Sequence, residues 1–141
     1  MSKYNNNKIT IDGICFDSKD EGRYYERLKR LKAEEKILNF ELQPKYELQP
    51  KFRTADGTLV RAIGYSPDFL IYHLDGSLEA VDVKTLGTAT QQGEIRRKMF
   101  LYHYPQIRLT WVCRNLKRAT IDGEWILYDE LKKAINKEKR A

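Results

Sequence analysis

Residues 68–84 constrain the fold more than any other stretch of the chain. Phe69-Leu70-Ile71-Tyr72 is a nearly continuous apolar, β-prone run, Asp75-Gly76 turns the chain, and Leu78-Glu-Ala-Val-Asp-Val-Lys84 is a second β-rich run. Asp-Gly between two such runs is a strong hairpin signal. In an antiparallel hairpin the start of one strand lies beside the end of the next. With the turn centred near 75–76, the partner of Asp68 falls near residue 83, so Asp68 and Asp82 are expected at one end of the hairpin. Side chains alternate along a strand. Asp82 and Lys84 therefore project together, and Val81 and Val83 project to the other face.

The remaining pattern predicts a single domain around this hairpin. Two short β-prone runs flank Asp12-Gly13, and Ser18-Lys-Asp-Glu21 opens a helix with Tyr24, Tyr25, Leu28 and Leu31 at helical spacing, running to about Lys36. An extended segment follows, holding the direct repeat Glu41-Leu-Gln-Pro-Lys-Tyr46 and Glu47-Leu-Gln-Pro-Lys-Phe52. Strands are expected near 46–53, 59–65 and 107–113, helices at about 94–104 and 128–139, and 125–127 as a short strand or the start of the last helix. The domain divides into an N-terminal hairpin and helix (8–36), a sheet bearing the chemistry (46–84), a basic helix and strand (91–113) and a C-terminal helix (128–139). Helix, β-meander, helix, strand, helix is the order of an α/β (α+β) fold, a central mixed sheet flanked by helices.

Several classes are excluded. With 41% hydrophobic and 33% charged residues over 141 positions, the chain is neither collagen, coiled coil nor disordered. No apolar run is long enough for a membrane span, and Met1–Lys8 lacks the apolar stretch of a signal peptide. A cytoplasmic location is expected. Cys15 and Cys113, each among apolar neighbours, are expected as small buried hydrophobes of a reducing compartment. Two Cys and two His (His73 and His103) argue against a zinc site, so any metal would be held by carboxylates.

Two carboxylates and an ammonium at one sheet end are unusual in a purely structural role, because such charges are rarely buried unless paired or metal-bound. Oxygen ligands suit Mg²⁺ or Mn²⁺. A bare Asp-X-Lys, by contrast, is most often an ion pair on a strand edge. Its context is Pro67-Asp68, thirteen intervening residues, then Asp82-Val83-Lys84. This arrangement resembles the PD-(D/E)XK nuclease superfamily. Ile-Asp-Gly-Ile-X-Phe-Asp-Ser-Lys-X-Glu21, the Leu-Gln-Pro-Lys-Tyr/Phe segment, the Asp-Phe and Asp-Val-Lys strands and Arg-Lys-X-Phe resemble a small phage- and prophage-encoded family long catalogued as a domain of unknown function. The resemblance covers about residues 3–113.

That resemblance implies a restriction-endonuclease-like core and a metal-dependent endonuclease acting on DNA in phage recombination, replication or packaging. Asp68, Asp82 and the backbone carbonyl of Val83 would hold Mg²⁺ or Mn²⁺, Glu21 would complete the site, and Lys84 would orient water or neutralise phosphate charge. Ser18-X-X-Glu21 is equally a capping box, and one glutamate can serve both roles. The resemblance also implies a structure-specific enzyme for branched or junction DNA, similar to dimeric junction resolvases, working in the host cytoplasm with other phage recombination or replication proteins.

Charge points to the same partner. From Lys84 to Arg118 the chain carries eight Lys or Arg and one acid, so this segment's net charge of +7 exceeds the +6 of the whole chain. Such a block is the footprint of a polyanion partner or, on charge alone, equally a solvated face. Gln91, Gln92, Arg96, Arg97 and Lys98 open the helix after the Asp-Val-Lys strand, and Arg114, Lys117 and Arg118 extend the track. Alternatively Arg97 and Lys98 solvate a helix whose apolar face, Ile95, Met99 and Tyr102, packs on the sheet. Three other readings compete: a non-catalytic nucleic-acid-binding protein on this fold, a restriction or transposon-end endonuclease, and a phage assembly protein.

Overall fold

The structure is a computed structural model describing residues 8–85, 87, 89–114 and 125–140. It opens with a two-stranded hairpin, β1 (Ile9–Ile11) and β2 (Ile14–Phe16). Asp12 and Gly13 both take positive φ, 54° and 77°. Both central residues of a tight type I′ turn need that conformation, and Asp-Gly adopts it readily. Alternation along β2 buries Phe16 against the following helix and leaves Cys15 exposed, so only Cys113 is the buried thiol the sequence suggests.

Helix α1 (Lys19–Ala33) is capped by Ser18, whose Oγ accepts the Glu21 N–H at 3.1 Å. Its buried face is Gly22, Tyr24, Tyr25 and Leu28. Leu28 is fully enclosed, a burial that stabilises by about 1.5–3 kcal/mol.

Next comes β3 (Asn39–Leu42), then a ribbon formed by β4 (Tyr46–Gln49) with β7 (Ile63–Tyr65) and β5 (Phe52–Arg53) with β6 (Leu59–Val60). The hairpin β8 (Phe69–Tyr72) and β9 (Leu78–Val83) leads to α2 (Gln91–His103), β10 (Ile107–Arg114), β11 (Trp125–Leu127) and α3 (Tyr128–Arg140). The central sheet has five strands in the order β11-β10-β9-β8-β3. Only the β9–β10 pairing is parallel, reached through the α2 crossover. The expected mixed sheet flanked by helices is the observed architecture.

Five details differ from expectation. Helix α1 ends at Ala33 rather than at about Lys36, because Glu35 takes a positive φ of 58° and the Lys36 N–H turns back to Leu31 O at 2.8 Å. Residues 39–42 are not merely extended but form the edge strand β3, with Phe40 opposite Ile71. Strands expected at 46–53 and 59–65 are each broken in two, the first at Pro50, which cannot donate to a ladder. Helix α2 begins three residues early because Thr90 caps it, its Oγ1 accepting the Gly93 N–H at 3.0 Å. The face of α2 that packs is centred on Phe100, 0% exposed, whereas Ile95 and Tyr102 are 51% and 81% exposed. The apolar residues surround this helix, so spacing alone did not select a face.

α1 covers one side of the sheet, packing on Phe69, Ile71, Val81 and Val112. α2 covers the other through Phe100, Leu70, Ala80 and Ile107, with Leu48 and Tyr65 of the ribbon. α3 extends that second layer, with Tyr128 on Trp111. Among the described residues no helix is long and apolar enough to cross a membrane.

Candidate functional site

In β8 and β9, Phe69 lies opposite Val81 and Leu70 opposite Ala80, so the next pair along is Asp68 and Asp82. The sequence places residue 83 there. The difference is the turn: His73 N–H reaches Ser77 O, leaving a three-residue loop, Leu74-Asp75-Gly76, with Gly76 at φ 88°. A loop centred on Asp75 shifts the register by one.

Each aspartate is held by the opposite strand. The Asp68 N–H donates to Asp82 Oδ1 at 3.0 Å, and the Val83 N–H donates to Asp68 Oδ2 at 2.8 Å. Asp82 is 5% exposed, the buried charged residue of the core. Its Oδ2 accepts the Tyr65 hydroxyl, which in turn accepts Trp111 Nε1–H at 3.2 Å. Lys84 Nζ stands 3.8 Å from the same Oδ2 and 4.7 Å from the centre of the Trp111 ring. The expected alternation holds: Asp82 and Lys84 share the side of Tyr65 and Trp111, while Val81 and Val83 pack toward α1.

Glu21 comes from the first turn of α1. The Ser18 cap fixes this turn, and the Glu21 carboxylate faces the cleft that Asp68 also lines, near enough to act on the Asp68 carboxyl. Burial, the charge of Asp82 and the neighbouring Glu21 push the Asp68 carboxyl well above the usual carboxylate range. Burial first, then the Asp82 charge, pushes the Tyr65 phenol up as well.

Glu21, Tyr65, Asp68, Asp82 and Lys84 line an open cleft of about 650 Å³, together with Arg23, Ser66, Thr85 and Arg96. The three carboxylates offer only oxygen donors, and burial together with the neighbouring Asp82 charge disfavours the charged form of Asp68. Crowded acids of this kind suit a hard divalent cation, which would favour that charged form. Among the described residues no three of His, Cys, Asp and Glu are gathered as tightly as a closed ligand set. Glu21 stands beside Asp68, and Asp82 is tied to Tyr65.

The expected basic track is dispersed. Arg96 lines the cleft. Gln91, Gln92 and Lys98 are exposed along α2. Arg97 is committed inside the fold: its guanidinium meets Asp129 Oδ2 at 2.5 Å and Glu94 Oε1 at 3.5 Å, and lies 4.3 Å from the centre of the Trp111 ring. Arg114 ends β10 opposite Trp125, half-buried. Lys117 and Arg118 lie outside the described residues.

Tyr65 and Trp111 are site residues that the sequence does not single out. The only available signal is proximity, with Tyr65 three positions before Asp68. His73 takes a structural partner, its Nε2 2.8 Å from Glu79 Oε1.

The family model described as "Protein of unknown function (DUF1064)" matches residues 1–120. No curated protein and no solved structure matches the chain.

Proposed function

The chain belongs to the DUF1064 family, and on that premise we propose that it is a divalent-cation-dependent nuclease of the PD-(D/E)XK kind that hydrolyses DNA phosphodiester bonds. One observation carries this reading. Asp68 and Asp82 meet across β8 and β9, with Lys84 beside Asp82 and Glu21 beside Asp68, at the wall of an open cleft. A bare Asp-X-Lys on a strand edge explains neither the burial of Asp82 nor the approach of Glu21 from a different element.

Asp68, Asp82, Glu21 and the Val83 carbonyl are the groups that would hold Mg²⁺ or Mn²⁺. When bound, such an ion lowers the pKa of a ligated water and polarises a phosphoryl oxygen. The protein's own contribution is positional. Tyr65 and the Asp68 N–H fix both oxygens of Asp82, so the carboxylate needs little reorganisation. Lys84, held between Asp82 and the Trp111 face, presents a cation to the cleft, where it orients water or neutralises charge on the phosphate.

A second reading has its own support. Because Asp82 is satisfied by Tyr65 and the Asp68 N–H, the same cluster suits a non-catalytic nucleic-acid-binding protein on this fold. The two separate on a gel. Supercoiled plasmid, linear duplex, single strand, flap and four-way junction are offered with Mg²⁺ or Mn²⁺ to the wild type and to Asp82→Ala. Metal-dependent cutting lost in the variant supports the nuclease, and a preference for the junction identifies a structure-specific one. Salt-sensitive binding without cutting moves the chain to the second reading.

A further inference from the structure

The β5–β6 ribbon is an arm. Every residue from Lys51 to Leu59 is exposed, and Leu48 and Ile63, at the inner end, are the last residues toward it that join the core. Phe52 is 47% exposed and Leu59 51%, on opposite faces of the ribbon, since Phe52 pairs with Val60 and Arg53 with Leu59. A two-stranded hairpin with no core side is marginal in water. This one is nonetheless braced at its tip. Thr58 Oγ1 and the Thr58 N–H both donate to Asp56 Oδ1, the Thr54 hydroxyl donates to the same oxygen, and Arg53 Nη1 donates to Gly57 O at 2.8 Å.

The repeated hexapeptide explains what is unusual. In the first copy Tyr46 packs edge-on against Phe100 and Tyr104, and in the second the corresponding Phe52 projects into solvent. An ordered strand pair showing an aromatic and a leucine to water is shaped for something that covers it.

Charge and shape select the occupant. Pro50–Ala62 holds Lys51, Arg53 and Arg61 against one acid, Asp56, and that acid is occupied within the tip. Among the described residues neither Lys51 nor Arg61 makes an ion pair. The ribbon is also rooted at the cleft. Its inner end is Tyr65, which bonds Asp82, followed by Ser66, which lines the cleft and bonds Pro44 O at 2.9 Å. At about 3.3 Å per residue, the arm extends roughly 20 Å from that rim. The major groove of B-form DNA admits a two-stranded β-ribbon, while the deep, narrow groove of A-form RNA does not.

We propose that the β5–β6 arm is a duplex-DNA contact that lies in the major groove beside the cleft, with Lys51 and Arg61 on phosphates and Phe52 against base edges. This inference rests on the nucleic-acid part of the reading above and is independent of hydrolysis.

The test is equilibrium binding of a 20-base-pair DNA duplex by fluorescence anisotropy in EDTA across a salt series. It compares the wild type, Lys51→Ala/Arg61→Ala and Phe52→Ala, each checked for folding by circular dichroism. The double variant is expected to bind at least tenfold more weakly, with the slope of log K against log salt reduced by about two. Phe52→Ala is expected to weaken binding with the slope unchanged. Wild-type affinity and slope in the double variant would overturn the proposal. So would equal loss of binding to an RNA duplex, or conversion of a dimer to a monomer by the arm variants in sedimentation, which would assign the arm to a second copy. If the arm variants lose binding but the wild type cuts nothing, the arm stands and the nuclease reading falls. If they bind and cut like the wild type, the arm alone falls.

Discussion

Asp68 and Asp82 are locked to each other's strand: the Asp68 N–H holds one carboxylate oxygen of Asp82, and the N–H beyond Asp82, that of Val83, holds one of Asp68. Two acids are thus kept close by the backbone of the hairpin itself. The arrangement costs stability when both are charged and provides a reason for a cation to bind.

Burial of Asp68, with the Asp82 charge beside it, sets the pH dependence. The folded-state pKa of Asp68 is raised, so between the ordinary aspartate range and that raised value the folded protein holds a proton that the unfolded chain has lost. Stability therefore falls as pH rises through this window. Melting temperature in EDTA is expected to decline from about pH 5 to about pH 9. Asp68→Asn should flatten the decline, and millimolar Mg²⁺ should offset it in the wild type alone. A flat wild-type profile would show that Asp68 keeps an ordinary carboxylate pKa in the folded protein.

Activity should depend on the same pair. Asp68→Asn and Asp82→Asn are expected to reduce metal-dependent cleavage by at least a hundredfold without unfolding the protein. Lys84→Ala should do likewise, with metal binding retained. Calorimetric titration of Mn²⁺ separates the roles: the aspartate variants lose the binding isotherm and the lysine variant keeps it.

Tyr65→Phe removes one hydroxyl and leaves two buried partners, Asp82 Oδ2 and Trp111 Nε1. An unsatisfied buried group costs about 1–3 kcal/mol, so urea unfolding should show a loss of that size. The turnover rate should fall further than substrate affinity, because Tyr65 holds Asp82 and lies beneath the cleft.

Arg97→Ala should act on stability and leave DNA affinity nearly unchanged. It removes the Asp129 ion pair and the stacking on Trp111, which together join α2, α3 and β10. A loss of about 1–3 kcal/mol is expected. Arg96→Ala, on the cleft wall, should show the reverse: weaker DNA binding at unchanged stability.

Gly22 is the point where the first hairpin meets α1. A β-carbon there would lie 2.9 Å from Ile9 Cγ2 and 3.0 Å from Ile11 Cδ1. Gly22→Ala gains helix propensity, yet it should lower the melting temperature because the β1–β2 hairpin must shift. A rise would mean that the hairpin yields without cost.

Much of this protein was legible in local pattern. Asp12-Gly13 made its turn, Ser18 capped α1, and alternation put Asp82 and Lys84 on one side of β9 with Val81 and Val83 on the other. Each of those outcomes is decided within a few residues, by φ preference, by a side chain reaching its own backbone, or by the two-residue period of a strand. What the tertiary structure decided was partnership. One loop residue moved Asp82 opposite Asp68, the first turn of α1 brought Glu21 to the cleft that Asp68 lines, and Tyr65, which the sequence does not single out, became the donor to Asp82. Arg97, one cation among several in the basic segment, was taken out of the track by an aspartate 32 positions away. Long-range packing energy, not local preference, chooses among otherwise equivalent charges and faces, and that choice exists only once the sheet and its helices have closed on one another.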